Sequence, residues 1–111
     1  MTALSGSRIR HLVVFTLRHV EGSPEAEAFL AALRSLAGID GVEDFEVVRQ
    51  VGPKNDYQLA VTMDFASRAA YDAYNAHPDH VAFVSDRWDA DVADFMEIDL
   101  AELRPAGAGE D

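Results

Sequence analysis

Residues 9–18 read Ile9-Arg10-His11-Leu12-Val13-Val14-Phe15-Thr16-Leu17-Arg18, a β-branched and aromatic run that predicts a strand. Ile9, His11, Val13, Phe15 and Leu17 share one face; Arg10, Leu12, Val14, Thr16 and Arg18 share the other. Both faces carry large apolar groups, so the strand needs two covers. His11 stands in the more apolar row.

Downstream, Ser23 and Pro24 predict the start of a helix, with Glu25 and Glu27 at its positive end. Phe29, Leu30, Leu33, Leu36 and Ala37 form its apolar stripe, and Gly38 ends it. A second strand is expected over 43–51, a turn at Gly52-Pro53-Lys54-Asn55-Asp56, and a third strand over 57–65. Ser67 opens a second helix, which Pro78 should break near His77 because a residue preceding proline avoids helical geometry. A short helix over 79–88 and a last strand over 92–100 complete the chain.

The order β-α-β-β-α-β predicts an α+β, ferredoxin-like domain: a four-stranded antiparallel sheet with its helices on one face. The other face would carry Leu12 and Val14 from the first strand and Val92, Met96 and Ile98 from the last. One helical layer cannot cover both sides, so a second copy of the chain is expected there, giving a homodimer. The domain is expected to span 8–101, between flexible termini at 1–7 and 102–111.

With 111 residues the chain makes a single domain. It has no cysteine, which excludes disulfides, thiolate catalysis and Cys-ligated metals. The formal net charge of -11, with nine scattered basic residues, disfavours nucleic acid and anionic membranes as partners. No apolar run approaches the ~18–20 residues of a membrane span, and the first residues lack a secretory pattern. A cytoplasmic location is expected. A small neutral molecule, or a second protein chain, suits this composition better than an anion.

The densest chemistry lies at Tyr74-Asn75-Ala76-His77-Pro78-Asp79-His80-Val81. One phenol and two imidazoles fall within seven residues, where proton transfer near neutral pH is readily arranged. Three readings stand side by side. His77 and His80 can fix the helix break by hydrogen bonds to backbone. One of them can act as general base or acid, with Tyr74 donating to a developing oxyanion. Or the pair can bind a metal with a third ligand such as Asp79 or Asp99. His11 reads first as a core histidine, His19 as solvated, and Tyr57, Tyr71 and Trp88 as packing residues. Asp86, Asp89, Asp91 and Asp94 read as a solvated face. No nucleophile elbow, phosphate loop or dinucleotide fingerprint is present, and no cofactor or metal is expected.

Three segments together resemble the stress-responsive dimeric α/β-barrel (Dabb) family: Ile9 to Phe15 with its histidine, Tyr57 to Phe65 leading into Ser67, and Tyr74-x-x-His77-Pro78-x-His80-Val81. The resemblance covers about residues 8 to 100. It implies a ferredoxin-like fold whose sheet pairs with that of a second subunit to form a barrel. The family includes stress-associated proteins and a plant polyketide cyclase that works by intramolecular aldol condensation. Carried over by position, it implies His80 as general base, Tyr74 as its supporting tyrosine and His11 as a third pocket residue. It implies further that Leu59 and Leu33 replace a pocket histidine and a pocket tyrosine. With His77 these would line a more apolar cavity, suited to a small apolar or aromatic keto ligand. A ligand carrier or structural dimer without catalysis is the alternative. Related barrels that oxidise heme offer a third.

Overall fold

The computed structural model describes residues 3–103. The strands are β1 (Ile9–Leu17), β2 (Glu43–Arg49), β3 (Leu59–Phe65) and β4 (Val92–Ala101). The helices are α1 (Pro24–Ser35), α2 (Arg68–Ala76), α3 (Pro78–Phe83) and the short α4 (Asp89–Asp91), with a π-helical turn at Val84–Trp88 joining the last two. The strands form one antiparallel sheet in the order β2-β3-β1-β4. This is the ferredoxin-like, α+β arrangement expected from the element order. The expected tail at 104–111 lies outside the described residues. Of the leading stretch, Gly6 N–H donates to Glu102 Oε1 (3.1 Å) and Ser7 Oγ to the Ala66 carbonyl (2.8 Å).

Each helix start follows from local chemistry. The Ser23 hydroxyl accepts from Ala26 N–H and the Ser67 hydroxyl from Ala70 N–H, each at 3.2 Å, satisfying amide donors that a helix cannot pair internally. At the break between α2 and α3, His77 is extended (ψ 134°) because Pro78 follows it. Its Nδ1 accepts from the Asp79 N–H at 3.1 Å, so His77 caps α3 with its own ring.

Strands β2 and β3 are shorter than their apolar patterns suggest, because turn chemistry takes the residues between them. Asn55 Oδ1 accepts from Tyr57 N–H (3.0 Å), and Gln50 Nε2 donates to the Tyr57 carbonyl (2.8 Å). His19, expected to be solvated, instead meets Asp91 (Nε2 to Oδ1, 2.8 Å), and Arg18 N–H donates to the Asp91 carbonyl (2.8 Å). Asp91 thus leaves the solvated acidic face and ties the β1–α1 loop to the start of β4.

The core lies between the sheet and the helices. Phe15, Phe29, Phe65 and Leu33 are essentially without solvent contact, and Trp88 sits at 5.2 Å from Phe15 and 6.0 Å from Phe29 between ring centroids. Truncating such a phenylalanine to alanine costs about 3–5 kcal/mol. Val92 corrects the sequence reading. An irregularity in the β1–β4 register opposite Thr16 and Leu17 turns Val92 into the core beside Leu17, leaving Met96, Ile98 and Leu100 on the bare face.

On that bare face, Met96, Val14, Ala60 and Val48 align in one row across all four strands. Val48 and Met96 are exposed. Ile98, Leu12, Thr62 and Glu46 make the next row, and Leu100, Arg10 and Asp64 the third. Asp64 is buried and held by Arg10 through two bonds of 2.8 and 3.1 Å.

Candidate functional site

On the helix side the sheet floors a cavity of ≈ 280 Å³. β1 contributes His11 and Val13, β3 contributes Val61 and Met63, and β4 contributes Phe95 and Glu97. Leu33 of α1 and Leu36, in the turn that follows it, close it. Tyr74, His80, Phe83, Trp88 and Asp89 form the wall on the α2-to-α4 side. Strand alternation brings His11, Met63 and Glu97 to the same side of neighbouring strands. The helix break presents His80 to them.

The Tyr74 and His80 rings are in tilted contact, with centroids 4.4 Å apart and planes at 46°. The Tyr74 phenol is buried, which pushes its pKa up and keeps it a proton donor. It makes no hydrogen bond with another described residue. His80 Nδ1 lies 3.2 Å from the Asn75 carbonyl. A carbonyl only accepts, so Nδ1 carries the proton and Nε2 keeps its lone pair. Burial pushes the His80 pKa down, outweighing the opposing effect of the Asn75 carbonyl. The ring is therefore a neutral imidazole at neutral pH, the form a base requires.

His11 is anchored from behind. Its Nδ1 is 2.7 Å from Asp99 Oδ1 and 2.9 Å from the Tyr71 hydroxyl, which itself donates to Asp99 at 3.0 and 3.1 Å. A carboxylate accepts only, so both groups donate to it, and Nε2 is the ring nitrogen left for the cavity, 4.0 Å from Glu97 Oε1. The Tyr71 phenol is pushed up to about 12, first by burial and then by its bond to Asp99.

Of the residues singled out by sequence, His11, Tyr74, His80 and Leu33 come together around this cavity. His77 and Leu59 do not line it. The His77 ring is engaged in capping α3, and Leu59 lies at the far end of β3, opposite Phe15 and Arg49, beside a separate polar crevice with Leu17 and Leu30. Sequence reasoning missed Tyr71 as a hydrogen-bonding residue and Glu97 as a lining one. The spacing of Tyr71 and Tyr74, three apart on one helix, places them on a common face. Asp99 entered the sequence reading only as a metal ligand. Among the described residues no three His, Asp or Glu side chains are clustered to hold a metal ion.

The model of the stress responsive A/B barrel domain, Dabb, matches residues 9–102. The chain belongs to this family. A Dabb family protein with a ferredoxin-like fold from Mesorhizobium loti is 52% identical, with a TM-score of 0.84 over 87% of this chain and 98% of that one. A dimeric ferredoxin-like protein of unknown function from Thermobifida fusca is 25% identical, with a TM-score of 0.72 over 90% and 95%. A hydroxynitrile lyase from Passiflora edulis shares the fold at 15% identity and a TM-score of 0.76, over 89% and 98%. No match is found among curated proteins. Among the described residues of this Dabb chain, no helix is long and apolar enough to cross a membrane.

Proposed function

We propose that the chain is a homodimeric small-molecule-binding protein whose cavity supports cofactor-free proton transfer beside a carbonyl. The Tyr74–His80 ring contact inside a largely apolar cavity carries this reading. His80 Nε2 removes the proton next to the carbonyl, the Tyr74 hydroxyl donates to the enolate oxygen, and His11 orients the substrate. The enolate can then attack a second carbonyl of the same molecule, an aldol-type ring closure of the kind a polyketide cyclase performs. The apolar bare face of the sheet supports the dimer, as does the dimeric state of the Thermobifida fusca relative.

The test needs no knowledge of the natural substrate. In D2O the protein should speed deuterium uptake at the carbon next to the carbonyl of 4-phenylbutan-2-one, followed by NMR. His80→Ala should abolish the acceleration while light scattering still reports a dimer. Undiminished exchange in that variant would remove the mechanism.

A carrier or structural dimer without catalysis is the second reading, supported by the contacts of His77 and His80 with backbone at the helix break. It gains if both His→Ala variants lower the melting temperature and neither alters ligand binding.

A further inference from the structure

The cavity is electrostatically one-sided. Among the described residues, its only charged lining groups are the carboxylates of Asp89 and Glu97, both on exposed residues, and no Lys or Arg lines it. Arg10 and Arg8 lie with Asp64 and Glu43, Arg49 with Glu21, and Arg68 over the ring of Tyr71 at 5.7 Å. Arg34 and Arg87, next in sequence to the lining residues Leu33 and Trp88, are exposed and do not line the cavity. Asp99, behind His11, adds a third negative group on the sheet side. The interior beyond the rim is apolar and aromatic, formed by Leu36, Met63, Phe83 and Trp88.

A ligand carboxylate or phosphate entering here would lose its water, meet no counter-cation, and face two carboxylates across a low-dielectric space. An unpaired buried charge is strongly disfavoured. The donors within the cavity, the Tyr74 hydroxyl above all, suit a neutral carbonyl oxygen. Resting on the reading of this cavity as a ligand site, we infer that Asp89 and Glu97 make it selective for uncharged carbonyl compounds against their carboxylate counterparts. A free ketone or aldehyde with an aromatic or aliphatic body fits. An acyl thioester on a phosphate-bearing carrier does not, because its phosphates would lie at the acidic rim of a chain with net charge -11. Any such precursor has to be released from its carrier before it reaches the cavity.

Trp88 is the only tryptophan of the chain and lines the cavity, so its fluorescence reports occupancy directly. The probes are 4-phenylbutan-2-one and 3-phenylpropanoate, which differ by a methyl group in place of a carboxylate oxygen. At low salt the wild-type protein should bind the ketone about tenfold or more tighter than the acid. The double variant Asp89→Asn/Glu97→Gln, and separately high salt, should narrow that gap by strengthening the acid's binding. Equal binding of the two compounds by the wild-type protein overturns the inference and leaves the ligand cavity standing. So does a gap that neither the double variant nor salt reduces. If neither compound perturbs Trp88 or the His80 resonances, the ligand cavity falls and the inference with it.

Discussion

His11 Nδ1 lies 2.7 Å from Asp99 Oδ1 across the β1–β4 pair, and the Tyr71 hydroxyl closes the group by reaching both. One carboxylate on an edge strand therefore orients a cavity-lining imidazole through two donors. Asp99→Ala should remove the acceptor that both donors share and cost about 1–3 kcal/mol, moderated by the partial exposure of the site and by the Tyr71–His11 contact that remains, whereas Tyr71→Phe should cost about 1 kcal/mol. Urea denaturation checks both. The phenol offers an independent signature. Its pKa is raised from 10.0 to about 12 in the fold, so its contribution to stability is complete below about pH 10 and is lost as pH rises through about 12. Ultraviolet titration should show two late-ionising tyrosines, Tyr71 and Tyr74, of which the earlier disappears in Tyr71→Phe.

His80 moves the other way. Burial holds its pKa below the ordinary 6.5, so as pH falls the unfolded chain takes up this proton before the folded one. Its share of stability is present above pH 6.5 and is lost as pH drops through the folded-state pKa. Proton exchange in the ketone substrate should fall to half its plateau rate only at a pH below 6.5. Replacing His80 with Gln should remove that part of the acid-side slope in stability. A midpoint at or above the ordinary value, read by NMR, would contradict the buried neutral base.

His77 separates structure from chemistry within three residues. Its ring accepts from Asp79 N–H and caps α3, so His77→Ala should cost about 1 kcal/mol and lower the melting temperature. Ligand binding, read through Trp88, should stay within experimental error. His77→Asn, which can also cap, should recover most of the loss.

The bare face of the sheet supplies the last test. Val14 lies at the centre of the row formed with Met96, Ala60 and Val48. In the proposed homodimer, Val14→Glu would bury a charge between two sheets, at a cost of several kcal/mol. Analytical ultracentrifugation should show dissociation to monomers that keep wild-type far-ultraviolet circular dichroism. A variant that stays dimeric would move the interface elsewhere.

Much of this protein is local and therefore legible in its residues. The helix starts at Ser23 and Ser67, the break forced by Pro78, the period-two strands and the two-faced apolar β1 each depend on neighbours within a turn or a strand. Their order suffices for the ferredoxin-like fold, and the burial pattern points to an unfinished face. The Tyr74–His80 pair is likewise legible, because its members lie six positions apart across one helix break.

What only the tertiary structure decided are the relations across the sheet. The register irregularity of β4 sends Val92 into the core, and the regular β1–β4 pairing beyond it brings Glu97 beside His11 and sets Asp99 opposite it. His11 and Asp99 are 88 residues apart in sequence. No local periodicity encodes which residues of two distant strands face each other, because register is set by the packing of whole strands and a single irregularity exchanges their faces. His77, whose ring caps α3, and Leu59, at the far end of β3, fall outside the cavity, while Tyr71 turns from a packing residue into the partner of a carboxylate.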